Sequence, residues 1–138
     1  MMPMKNSGKN RMEYRERNLR ILLEYIHYGT YKKVGELEGV TGERIRQIKE
    51  WTLFHLFGHS RESNPQKVLC RLAQREGLSE SQVREAMRRQ LIHVYRENPE
   101  LVFPCGEQSL IPTPEDTLIY IYTRLFSPQA GRNSSRSE

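Results

Sequence analysis

The sequence predicts an all-α protein: two helix-turn-helix units in tandem, offset by 38 positions, followed by a C-terminal helix. Three observations predict it. Apolar residues recur at helical rather than strand spacing, glycines followed by Thr or Ser punctuate them, and one set of small and apolar residues occurs twice at a constant separation.

Leu19, Leu22, Leu23 and Ile26 follow the i, i+3, i+4, i+7 rule, and Gly29-Thr30 supplies a stop and a fresh N-cap, so the first helix is predicted over 11–28. Tyr31, Val34 and Leu37 continue a short helix to Gly39. Thr41-Gly42-Glu43-Arg44 then reads as the cap and first turn of a longer helix through Ile45, Ile48, Leu53 and Leu56. Residues 58–66 are polar and read as a linker. Beyond Pro65 a short helix carries Val68, Leu69 and Leu72 and breaks at Gly77; after a cap at Ser79 another runs through Val83, Met87, Leu91 and Val94 to Asn98-Pro99. Residues 99–112 hold three prolines and one glycine and read as loop. Thr113-Pro114-Glu115-Asp116 caps a last helix to about Phe126. The domain organisation expected is therefore a disordered tail over 1–10, one unit over 11–57, the linker, a second unit with the last helix over 67–126, and a disordered tail over 127–138.

A chain of 138 residues has room for one ordinary domain or two very small ones, which excludes a large multidomain enzyme. Hydrophobic content of 36% and mean hydropathy of −0.76 imply a small core. Lys plus Arg number 22 against 17 Asp plus Glu, a net charge of +5, and the pI near 9.4 points to a polyanionic partner. The excess is uneven: residues 1–29 carry +3, 30–98 carry +4 and 99–138 carry −2, so the basic surface is expected in the first two-thirds of the chain. No apolar run approaches the roughly 18 residues that span a bilayer. Cys70 and Cys105 form no spaced framework, which fits a reducing compartment. The chain reads as cytoplasmic, neither secreted nor membrane-spanning.

Gly35, Gly39, Val40, Thr41 and Ile45 lie 38 positions before Ala73, Gly77, Leu78, Ser79 and Val83, and the same offset pairs Val34 with Leu72, Arg46 with Arg84 and Leu53 with Leu91. Each copy meets what a helix-turn-helix requires: a small residue where the helices cross, a glycine at the turn, and a branched apolar residue locking the second helix onto the first. A tight helical hairpin with no nucleic-acid role makes several of the same demands, and the second copy is the closer to that bland description.

In the first copy, residues 43, 46, 47 and 50 share one helix face, where a Glu can accept from cytosine, an Arg can fork onto guanine and a Gln can pair with adenine. Val34-Gly35-Glu36, then Val40-Thr41-Gly42-Glu43-Arg44-Ile45-Arg46-Gln47-Ile48-Lys49, continuing to Leu53, Leu56, Ser60 and Arg61, resembles region four of the primary bacterial sigma factors. Arg15-Glu16-Arg17 through Ile21-Leu22 resembles the helix that precedes it there, so the similarity covers about residues 13–61. It implies that the longer helix enters the major groove of a promoter element and that another face docks on RNA polymerase. Position by position it implies base contacts for Glu43, Arg46 and Gln47 and a phosphate contact for Arg44. Thr41, Lys49, Glu50 and Arg61 complete the predicted DNA-binding set. Gly42 stands where the family has an arginine, Trp51 where a small or basic residue is common, and Leu37-Glu38 inverts the usual order, which implies a different target sequence or a shifted first helix. Nothing matches the sigma regions that melt DNA. The resemblance thus implies a bacterial or phage transcription regulator, monomer or homodimer, with double-stranded DNA as partner and RNA polymerase as a candidate second one.

On the second copy the corresponding face carries Ser81, Gln82, Arg84, Glu85, Arg88 and Arg89, either a second DNA-binding face or an ordinary solvated one. Tyr25, Tyr28, Tyr31, Trp51, Phe54 and Phe57 are expected mostly in the core, and the last helix, apolar nearly all round, is expected between the repeats or in a dimer interface. His55 and His59 stand at i, i+4, yet no CxxC or HExxH pair accompanies them, so no metal and no cofactor is expected. Carboxylates are dispersed and phosphate loops and nucleophile elbows are missing, so no catalysis is read. The alternative class is a phage-type structural adaptor for DNA packaging, which uses similar modules in a ring.

Overall fold

In both halves of the molecule the chain reverses between helices at the same kind of corner. Gly39 and Gly77 adopt the left-handed conformation, with φ 75°, ψ 30° and φ 69°, ψ 32°. Two residues on, Thr41 and Ser79 are extended, and their hydroxyls accept from the backbone N–H of Arg44 and Gln82, each at 3.1 Å. Val40 N–H donates to the Gly35 carbonyl at 2.9 Å, and 38 positions later Leu78 N–H donates to Ala73 at 3.0 Å. The repeat of residue types is thus a repeat of backbone conformation.

The computed structural model describes residues 7–101 and 112–126, with side chains from 15 onward, and is all-α, with no strand among the described residues. The helices are α1 (Ser7–Tyr28), α2 (Tyr31–Glu38), α3 (Gly42–Phe57), α4 (Pro65–Glu76), α5 (Glu80–Glu97) and α6 (Pro114–Phe126). Two boundaries differ from expectation. α1 begins at Ser7, inside the stretch assigned to a disordered tail, because helix extension adds a hydrogen bond per residue and no proline lies between Pro3 and the end of α1. Pro65 opens α4, with the Asn64 side chain accepting from Gln66 N–H at 2.9 Å, so the connector is 58–64; proline suits a first helical position, which has no N–H to satisfy. The tail expected over 127–138 and most of the loop expected over 99–112 lie outside the described residues.

The two halves share a core. Ile21 of α1, Val34 of α2 and Ile45 and Ile48 of α3 form a small cluster. A larger one joins Leu19, Leu22 and Leu23 of α1 and Leu53, Leu56 and Phe57 of α3 to apolar residues of α4, α5 and α6. α1 and α3 belong to both, so α3 is gripped along its length. Its C-terminal carbonyls, orphaned like those of any helix end, are taken by the second half: Arg71 donates to Leu56 at 2.6 Å and Arg75 to His55 at 2.9 and 3.1 Å. α6 closes the larger core with Leu118 and Ile121 and sets Tyr122 and Phe126 edge-on to Phe57, while Ile119 stays exposed.

Of the aromatic residues expected in the core, Tyr25, Tyr28 and Tyr31 are half-buried against the two clusters, whereas of the three on α3 Trp51 and Phe54 are 53% and 49% exposed and only Phe57 is enclosed. Three residues turn a helix by about 300°, so each step of that spacing drifts by about 60° and three such residues cannot share one face.

One buried group opposes the packing. Glu24 of α1 is 3% exposed, and its Oε1 has no hydrogen-bond partner among the described residues. It faces Glu38 of α2, which Arg20 holds through Nε and Nη2, each at 2.7 Å. Burial, then hydrogen bonding to Glu38 and its repulsion, push the Glu24 carboxyl up to about 8. Burial would also raise Glu38, but the hydrogen bonds from Arg20 and Glu24 outweigh it and hold Glu38 below the usual range.

A Cβ on Gly35 would lie 2.6 Å from the Val40 carbonyl oxygen, whereas one on Gly39 would meet only its own left-handed φ. Gly35→Ala should therefore destabilise by about 3 kcal/mol and Gly39→Ala by about 1 kcal/mol in urea unfolding, and equal losses would move the cost from contact to backbone conformation. Folding raises the Glu24 pKa, so the native state binds the extra proton and stability falls as pH rises from about 4.5 to about 8. Glu24→Gln should flatten that slope and leave the variant the more stable at high pH; urea midpoints across the window check it, and an unchanged slope would remove Glu24 as its source.

Candidate nucleic-acid interface

α3 turns one side to solvent throughout its length. Glu43, Gln47, Glu50 and Phe54 stand in line on that side, all exposed. Arg44 and Trp51 occupy the flank toward α1, where they border Arg17 and Asn18. Arg46 and Lys49 occupy the flank toward α2. The residues that resemble base-reading positions are thus brought together on an open surface.

Their charges are not independent. Arg46 bridges Glu43 at 2.5 Å and Glu50 at 3.0 Å along the helix. The hydrogen bond from Arg46 holds the Glu43 carboxyl below its usual range, and the two carboxylates raise the Arg46 guanidinium further. Gln47 is held loosely, 3.4 Å from Glu43 and 3.4 Å from the Arg44 guanidinium. Thr41 spends its hydroxyl on the cap of α3. Lys49 lies 4.9 and 5.2 Å from the ring centroids of Tyr25 and Tyr31, which stack at 4.7 Å, so its charge serves the α1–α2 seam. Arg61, in a left-handed conformation with φ 55°, sits beyond the far end of α3 from Thr41, its guanidinium 4.7 Å from the Phe126 ring centroid. There it borders a depression that Lys49 and Glu50 also line, away from Thr41, Glu43 and Arg44.

The second face is arranged differently. Gln82 closes a capping box with Ser79, and Arg84 pairs with Glu115 of α6 at 2.6 Å while reaching Gln66 at 3.4 Å. Both side chains serve the fold. Ser81, Arg88 and Arg89 are exposed, and Glu85 pairs with Arg88 at 3.0 Å and Arg89 at 3.5 Å. His55 stacks on Trp51 and His59 stands edge-on to Phe54, which leaves the two histidines facing aromatic rings.

Arg17 and Asn18 were not legible as site residues. The apolar stripe of α1 identifies its buried side, but which neighbour lies beside its flank depends on how α3 crosses it. Compared with known proteins, the chain matches no family model, no curated protein and no solved structure.

Arg84→Ala should lower stability by about 1 kcal/mol through loss of the Glu115 pair, and the double variant with Glu115→Gln should cost no more than either change alone. Arg88→Ala should stay within about 0.5 kcal/mol of the parent. Urea midpoints of the parent and these variants check this, and additive losses from Arg84→Ala and Glu115→Gln would show that the pair contributes nothing.

Proposed function

We propose that the chain binds double-stranded DNA sequence-specifically by laying α3 in the major groove, and that it acts in the cytoplasm as a transcription regulator, monomer or homodimer. The observation that carries the proposal is the outward row of Glu43, Gln47 and Glu50, flanked by Arg44 and Arg46, on a helix whose opposite side is locked into two apolar clusters. Base reading needs side chains held in register by a rigid backbone, and α3 is fixed at its start by the Thr41 cap and at its end by Arg71 and Arg75. The net charge of +5 supports a phosphate-bearing partner. The string Glu43-Arg44-Ile45-Arg46-Gln47-Ile48, with its likeness to sigma region four, supports the promoter-type target, and RNA polymerase as a second partner is proposed on that likeness alone.

In this reading Arg46 moves from its intrahelical carboxylates to the DNA when the complex forms, and Glu43 is released to accept from a base. Selection of bound duplexes from a random pool gives the target site. On that site Arg46→Ala and Gln47→Ala should each weaken binding by about 1–3 kcal/mol and relax preference locally, while Glu50→Gln, which opens one side of the clamp, should tighten binding to unrelated duplex and steepen its salt dependence. Equal losses on every sequence would overturn base reading. A large ring in sedimentation would favour the packaging-adaptor class instead.

A further inference from the structure

The flank of α3 that faces α1 holds a second arrangement, which shares Gln47 with the Glu43–Gln47–Glu50 row. A shallow cleft of about 540 Å³ opens there, lined by Arg17, Asn18, Arg44, Gln47, Ile48 and Trp51. No carboxylate lines it. Arg17 and Arg44 form no ion pair among the described residues, in contrast to Arg46 on the opposite flank. Asn18 makes no hydrogen bond among the described residues, and the Gln47 amide makes only its two long contacts. His55 lies against one face of the Trp51 indole, at 4.1 Å between centroids and 20° between planes, yet 53% of the tryptophan remains accessible. The ring is backed on one side and open on the other.

We propose that this cleft takes one nucleotide unstacked from the bound DNA: its base against the open face of Trp51, its hydrogen-bonding edge on the amides of Asn18 and Gln47, its phosphate between Arg17 and Arg44. The proposal rests on the DNA-binding reading above and adds to it a site of a different kind. A nucleotide is a flat π-surface with donors and acceptors on its rim and an anion attached, and the cleft presents the complement of each part. Guanidinium groups that make no ion pair among the described residues suit a phosphate, which they can grip with paired N–H groups. An apolar helix seated in the same cleft would bury those two cations with no counter-charge, which works against it. The position also fits the sequence: Trp51 lies one helical turn beyond Gln47, so a base leaving the stack beside Gln47 has the indole next to it.

Trp51 is the chain's single tryptophan, so its fluorescence reports the cleft directly. The full chain is titrated with a dye-labelled single strand of about 16 nucleotides, with the same strand fully paired, with a duplex carrying one unpaired base, and with free dAMP. Dye anisotropy reports binding as a whole and indole emission reports the cleft. Saturable quenching by the single strand and by the duplex with the unpaired base, with less from the fully paired duplex, is the expected result. Arg17→Ala, Asn18→Ala and Trp51→Leu should each lower single-strand affinity about 10-fold in anisotropy. The first two sit at the surface and keep the reporter, so they test the site even where Trp51→Leu fails to fold. Anisotropy changes with every DNA while the indole emission stays constant would overturn the cleft and leave the major-groove reading standing. No anisotropy change with any DNA would overturn both. Quenching by dAMP at the concentrations at which the strands act would name a free nucleotide as the occupant and overturn the DNA source.

Discussion

The constraint on which the rest of the molecule depends is that α3 must be immobile and uncovered at once. A 16-residue helix is marginal by itself, so its order has to come from what it buries. Here Ile45 and Ile48 enter one cluster and Leu53, Leu56 and Phe57 another, and α1 contributes to both, which fixes the helix against rotation as well as translation. The two ends are closed by different means. Thr41 satisfies an N–H at the start, and arginines from α4 satisfy carbonyls at the finish, so the second half of the chain is part of the support of the first even before any role on DNA is assigned to it.

Electrostatics divides the exposed side of α3 into two unequal flanks. On one, Arg46 is saturated by Glu43 and Glu50, and with Lys49 on the same flank the two cations and two carboxylates balance. In the proposed complex a phosphate backbone would gain little there, so contact on that flank would come from exchange of hydrogen bonds with base edges, which is selective because each exchange needs the right partner. On the other, Arg17 and Arg44 line a cleft beside Trp51 and make no ion pair among the described residues. Under the proposed DNA-binding reading, general attraction would belong to the α1 flank and discrimination to the clamp, and neither flank alone would give both.

Most of the architecture was legible in the sequence because it depends on local rules. Gly39, Thr41, Gly77 and Ser79 set their turns through backbone conformation and capping, which depend on residue type alone, and the four long apolar stripes follow from helical periodicity. What escaped depended on neighbours distant in sequence. Trp51 and Phe54 could be placed on α3, but whether anything covers them is decided by the width of the α1–α3 seam. Arg84 reads as a surface cation at the position equivalent to Arg46, and only the approach of Glu115, 31 positions away, turns it into a structural tie. Arg61 occupies its expected place in the chain, yet the turn after α3 carries it toward Phe126. The start of α1 escaped for the opposite reason: weakly biased residues join a helix already nucleated by the core beside them.

The two copies show how far a shared backbone constrains a shared role. Their corners agree in dihedral angles and in the hydrogen bond that crosses the turn, but the residue at the crossing is Gly35 in one and Ala73 in the other. At Gly35 there is no room for a methyl group, so α2 and α3 approach more closely than a side chain would permit. That tight approach belongs to the half whose second helix is left open. In the other half the second helix lies under α6, joined through Arg84 and Glu115, with Gln82 taken up by its cap. Of the positions equivalent to the first copy's outward side, Ser81, Arg88 and Arg89 stay exposed, and Arg84 is the one tied to α6. A repeated fold here carries two different second helices: α3 ends under arginines of α4 with its outward row free, whereas α5 is tied at Arg84 to the helix added after it.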